Sequence, residues 1–181
     1  MTRSHLLLLA FVLAANYLLM VARHEGCHAL VAFLSGADMI DSHLWPPQGW
    51  NLSWTTVVSL SPRPPWVIRL QATLPYLVDL AFVAASLIYL LSIRVGGFWR
   101  LNVALTGIVF PLADLSLSVG AYWFADNDYF FVFGPGRLFV RATLSTCVLV
   151  LMALCGWLVV RGAGNFATVS EASGAEVATH D

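Results

Sequence analysis

Charge is what this sequence has least of. Asp, Glu, Lys and Arg supply 10% of its 181 residues, against about one-quarter in an ordinary soluble domain. All nine cationic side chains are arginine, and the net charge is −1. Nothing here forms the basic stripe that a phosphate backbone requires, so nucleic acid is excluded as a partner. Cysteine is scarce as well: Cys27, Cys147 and Cys155 form no C-x-x-C pair, which excludes a cysteine metal cage. Cys147 and Cys155 lie on one expected helix, about 12 Å apart in rise, and cannot bridge each other. Small apolar packing is the role expected of them. No internal repeat is present, and no length is left over for a separate soluble domain.

Apolar residues fill the space that charge vacates. They make up 59% of the chain, and the mean hydropathy is +0.79. The distribution predicts an all-α integral membrane protein of about four transmembrane helices, spanning 6–34, 67–91, 98–123 and 138–160. A single polytopic domain is expected over 1–161, in contact with the lipid bilayer. Four spans put both termini on one side, but arginine falls equally on both sides and does not orient the bundle. Arg3 ahead of a leucine run resembles a signal peptide, yet no A-x-A site follows and the apolar run continues, so the segment is expected to stay. The tail, 162–181, is rich in Gly, Ala, Ser and Thr and is expected to be disordered. A bacterial cell membrane is the expected location, from the compact, lysine-free chain.

Between the first two spans lies a loop punctuated by Pro46, Pro47, Pro62, Pro64 and Pro65, with Trp45, Trp50, Trp54 and Trp66. Within it, Asn51 to Leu60 is proline-free and rich in Thr, Val and Trp, which reads as a short strand or hairpin. Four tryptophans give the loop an interfacial character, so a membrane-associated β-element between helices 1 and 2 is the expectation.

One pentapeptide resists explanation as packing. His24-Glu25-Gly26-Cys27-His28 is an H-E-x-x-H sequence inside the first apolar span. Positions i and i+4 share a helix face, so His24 and His28 can grip one metal ion while Glu25 reaches a metal-bound water as general base. The motif lies about 27 Å along the helix from Leu6, toward the far membrane face. A catalytic site of this kind takes three protein ligands, so a third must come from elsewhere. Asp114, near the middle of an apolar helix, is costly there unless compensated, and is the first candidate. Pro111 before it removes one backbone hydrogen bond and frees the carbonyl of Gly107. Asp128 is the reserve candidate. Asp126 reads as a solvated loop acid, Asp79 as a supporting group that pairs with Arg69 or contacts the same polar cavity, and His5, His43 and His180 as ordinary histidines.

H-E-x-x-H on one span, one intervening span, then Pro111-Leu112-Ala113-Asp114 on the next resembles the intramembrane site-2 metalloprotease family over about residues 6 to 125. The chain departs from that family's pattern at Leu115, where Gly usually follows the aspartate, and by lacking an asparagine just before Pro111. Its link between spans two and three, Ser92 to Gly97, leaves no room for a PDZ domain. The resemblance implies a zinc-dependent endopeptidase with one Zn2+ per chain, ligated by His24, His28 and Asp114, that cleaves a transmembrane helix of a membrane protein. It also implies that the strand borders the active site, with Leu52, Trp54, Thr56 and Val58 holding unwound substrate. The alternative is a catalytically inactive, protease-like membrane scaffold or partner protein.

Overall fold

The computed structural model describes residues 3–43, 54–58, 63–93, 97–124, 128–133 and 138–177. The chain opens with α1, Arg3–Leu34. A backbone surrounded by lipid must satisfy its own polar groups, and a helix does so within one segment. Gly36 ends that regime. It adopts φ 70°, a conformation that disfavours side chains with a Cβ. The Gly36 and Ala37 N–H groups then donate back to Phe33 and Ala32 carbonyls at 3.1 and 3.0 Å, closing the last turn.

The chain next forms β1, Asp38–His43, and β2, Trp54–Val58, an antiparallel pair with Asp38 opposite Val58 and His43 opposite Trp54. A register irregularity falls between Met39 and Asp41. Both strands lie against α1. Leu52 and the side chains of Trp54, Thr56 and Val58 lie outside the described residues.

Helix α2 spans Pro65–Ser92, with a proline at its start, where the missing N–H costs nothing, and Pro75 inside it. The third apolar segment is built of α3, Gly97–Ala104, a π-helical turn, Leu105–Val109, and α4, Phe110–Phe124. After it come the short α5, Asp128–Phe133, and the long α6, Leu138–Val177. Among the described residues, four helical stretches are long and apolar enough to cross a membrane: Leu6–Leu34, Pro65–Ser92, Phe98–Phe124 and Leu138–Val160. The third is the most buried and the fourth the least. Phe11, Phe33, Phe139 and Val160 are exposed, as lipid-facing side chains should be. Helical backbone continues through α6 to Val177. Propagation costs little once a long helix is nucleated, and alanine and glutamate favour it.

The core joins Tyr76, Val83 and Leu90 of α2 to Ile108, Leu112, Leu115, Val119 and Tyr122 of the third segment, with Tyr129 and Cys155 completing it. Pro111 does not break its helix. The π turn just before it widens the register, the Phe110 N–H reaching back to the Leu105 carbonyl. The turn also carries Thr106, which donates to Asn16 on α1.

Without hydrophobic driving force in lipid, helices associate through close packing, and small residues permit it. Gly107 is such a contact: a Cβ there would meet Ser86 Oγ at 1.7 Å and Ser86 Cβ at 2.6 Å. No rotamer of Ser86 relieves the second clash. Gly107→Ala is therefore expected to destabilise the fold by about 1–3 kcal/mol, read as a lowered thermal midpoint in detergent. Adding Ser86→Gly should recover most of the loss. A single variant as stable as the parent would show that these helices do not pack so closely.

Candidate metal centre

His24 and His28 sit one turn apart on α1, their rings 4.9 Å apart between centroids. Each ring has one nitrogen engaged. His24 Nδ1–H donates to Asp114 Oδ2 at 2.7 Å, and His28 Nδ1–H donates to the Gln71 carbonyl at 2.9 Å. Those bonds select the tautomer in which both Nε2 atoms carry lone pairs.

Both Nε2 atoms face one carboxylate oxygen. Asp128 Oδ2 lies 3.6 Å from His24 Nε2 and 3.3 Å from His28 Nε2. Ligand atoms of the three residues all lie within 4.8 Å of one another, a group that can hold a metal ion. Three acceptors converging with no proton between them repel, so the arrangement calls for a cation, either protons on the imidazoles or a metal. Two imidazole nitrogens and a carboxylate oxygen suit a transition metal well.

No protein-family model, curated protein or solved structure matches the chain.

The geometry sets the two candidate aspartates on opposite sides of the His24 ring. Asp114 does not reach the Nε2 side; it accepts the hydrogen bond from the opposite side of His24. Asp128, at the start of α5, takes the third corner instead. The reason is topological: α4 delivers Asp114 to the back of the imidazole, while Asp128 at the start of α5 lies at its front. Asp114 is nonetheless buried and polar, as its mid-helix position required. Asp79 is paired, but with Arg23 on α1 rather than Arg69, and the Arg23 guanidinium also lies 4.8 Å over the Phe82 ring. Asp79 is close enough to Asp114 and His24 for their charges to act on one another. Glu25, between the two histidines in the sequence, is buried. Asp126 and His180 lie outside the described residues.

With the imidazoles protonated, burial still works to raise the Asp128 carboxyl, but hydrogen bonds and charge from His24 and His28 outweigh it and hold the group below the ordinary aspartate range. Its stabilising contribution is therefore complete above that range and is lost as pH falls through and below it. Near neutrality Asp128 is ionised and fit to serve as a ligand. Tyr129 beside it is pushed up, by burial first and then by the carboxylates of Asp114, Asp128 and Asp79, so its phenol stays neutral.

The sequence reading missed two groups on α2. Tyr76 donates its hydroxyl to Asp128 Oδ2 at 2.9 Å, with its ring edge-on to His24 and stacked on Tyr129. The Gln71 carbonyl is a backbone group and leaves no signature of its own, although Pro75, four residues on, marks it. Beyond Tyr76 and Tyr129 lies an apolar cavity of about 330 Å³, bounded also by Leu77, Leu115, Leu144 and Cys147.

Proposed function

We propose that this chain is a zinc-dependent intramembrane endopeptidase, with His24, His28 and Asp128 as the metal ligands and Glu25 as the general base. The observation that carries the reading is the convergence of two Nε2 atoms and one carboxylate oxygen, both Nδ1 atoms being committed elsewhere. Charge supports a divalent ion. Arg23 offsets Asp79, which leaves Asp114 and Asp128 facing two imidazoles that are neutral in the ligating state, and buried carboxylates persist only when compensated. Zinc fits two imidazoles and a carboxylate and leaves a position open for substrate.

When bound, the metal would supply a Lewis acid that polarises the scissile carbonyl and makes water a better nucleophile at neutral pH. The protein's own groups do the rest. Glu25, adjacent to His24 in the motif, accepts the proton of the attacking water and returns it to the leaving amine. Asp114 and Gln71 hold the imidazoles in the ligating tautomer. A transmembrane substrate hides its peptide bonds within its own helix and must unwind first. The β1–β2 pair, lying against the helix that carries the motif, offers a strand edge to hold the extended segment.

The test uses detergent-purified protein reconstituted in proteoliposomes with tagged single-span helices that carry a Gly-Pro or Asn-Gly break. Cleavage should stop on chelation and return with Zn2+. Thr56→Pro should slow it while zinc stays bound. Zinc-loaded protein that cleaves no helix of the panel would favour the inactive scaffold.

A further inference from the structure

Proline in the middle of a membrane helix has two effects: it lacks an N–H, and it leaves the carbonyl four residues earlier without its helical donor. In α2 the proline is Pro75, fully buried, and the carbonyl it strands belongs to Gln71. That carbonyl accepts the Nδ1–H of His28. The next residue, Tyr76, donates to Asp128. One turn of α2 thus touches two of the three candidate ligands, each on the side away from the shared cluster or on the ligating oxygen itself.

We infer that the Pro75 turn of α2 is the orienting device of the metal centre: Pro75 frees the Gln71 carbonyl to fix the His28 imidazole, and the Tyr76 hydroxyl fixes the Asp128 carboxylate. The inference rests on the metal-site reading above. Pro75 and Tyr76 are positioning residues, acting through His28 and Asp128. An alanine at 75 restores an N–H that competes for the Gln71 carbonyl and sets the imidazole free to turn. A phenylalanine at 76 keeps the stack on Tyr129, 4.8 Å between centroids, and removes only the hydroxyl. Asp128 needs such a tether more than the histidines do. It sits on the six-residue α5 outside the four long apolar stretches, whereas His24 and His28 are locked on one long helix.

Partners of metal ligands typically contribute about 10–100-fold in metal affinity. The test is Zn2+ affinity, measured by competition with a chromophoric chelator on the full-length protein in detergent, for the parent, Pro75→Ala, Tyr76→Phe and, as comparison on the same helix, the exposed Tyr89→Phe. Pro75→Ala and Tyr76→Phe should each weaken zinc by about tenfold or more, with Tyr89→Phe unchanged. A second variant separates the N–H from the shape of proline: lactate at position 75, the ester analogue of alanine, also lacks the N–H and should bind zinc like the parent. In the zinc-loaded protein, solvent exchange of the His28 Nδ1–H, followed with 15N-histidine, should be slow in the parent and lactate proteins and fast in Pro75→Ala. Parent protein that binds zinc while alanine and lactate at 75 and phenylalanine at 76 all match it would overturn this inference and leave the metal site standing. Parent protein that takes up no zinc would overturn both.

Discussion

Asp128→Ala is expected to strip the protein of zinc, whereas Asp114→Asn is expected to weaken binding by about 10–100-fold and leave the site occupied at micromolar metal. The asymmetry follows from which side of the imidazole each carboxylate meets. Asp128 Oδ2 faces both Nε2 atoms, so its loss removes a ligand. Asp114 accepts from His24 Nδ1 and sets the ring's tautomer and angle. Asparagine at 114 still offers an oxygen to that N–H, but without the charge that strengthens the bond. His24→Ala and His28→Ala should behave like Asp128→Ala. Elemental analysis of protein matched for folding reads all four variants at once. Zinc lost on Asp114→Asn but kept on Asp128→Ala would exchange the two roles and return the third position to the third apolar segment.

Glu25→Gln is expected to lower cleavage by about a hundredfold to ten-thousandfold, the usual contribution of a general base, while zinc content stays at the parent level. Glutamine keeps the shape and hydrogen-bonding reach of a side chain that is buried on α1. What it loses is the ability to hold a proton in transit. The pairing of unchanged metal with lost turnover is therefore the informative result. Wild-type rates in Glu25→Gln would remove the glutamate from the mechanism and turn attention to the other buried acids. Loss of zinc along with activity would make Glu25 a determinant of the site's structure instead.

The resemblance read in the residues drew attention to the proline–aspartate segment, and that segment does reach the site, but from behind. Pro75, four residues after Gln71, is visible in the sequence but carries no chemical signature there. Its importance lies in a backbone carbonyl whose partner is 43 positions away in the chain. Tyr76 was equally visible and equally mute, because a tyrosine on an apolar helix is most often packing, and only its distance to Asp128 says otherwise.

Local chemistry alone determined a good deal of this protein. Sparse charge and long apolar runs set four helical stretches suited to a membrane, because in lipid each segment must satisfy its own backbone whatever its neighbours do. The i, i+4 spacing put His24 and His28 on one face, because helix geometry needs no tertiary information. Tertiary structure decided the rest. Which aspartate completes the cluster, which nitrogen of each ring points inward and what Pro75 sets free all depend on how α2, α4 and α5 dock against α1. Those contacts join residues 43 to 90 positions apart along the chain, and a pattern read along the sequence carries no record of them.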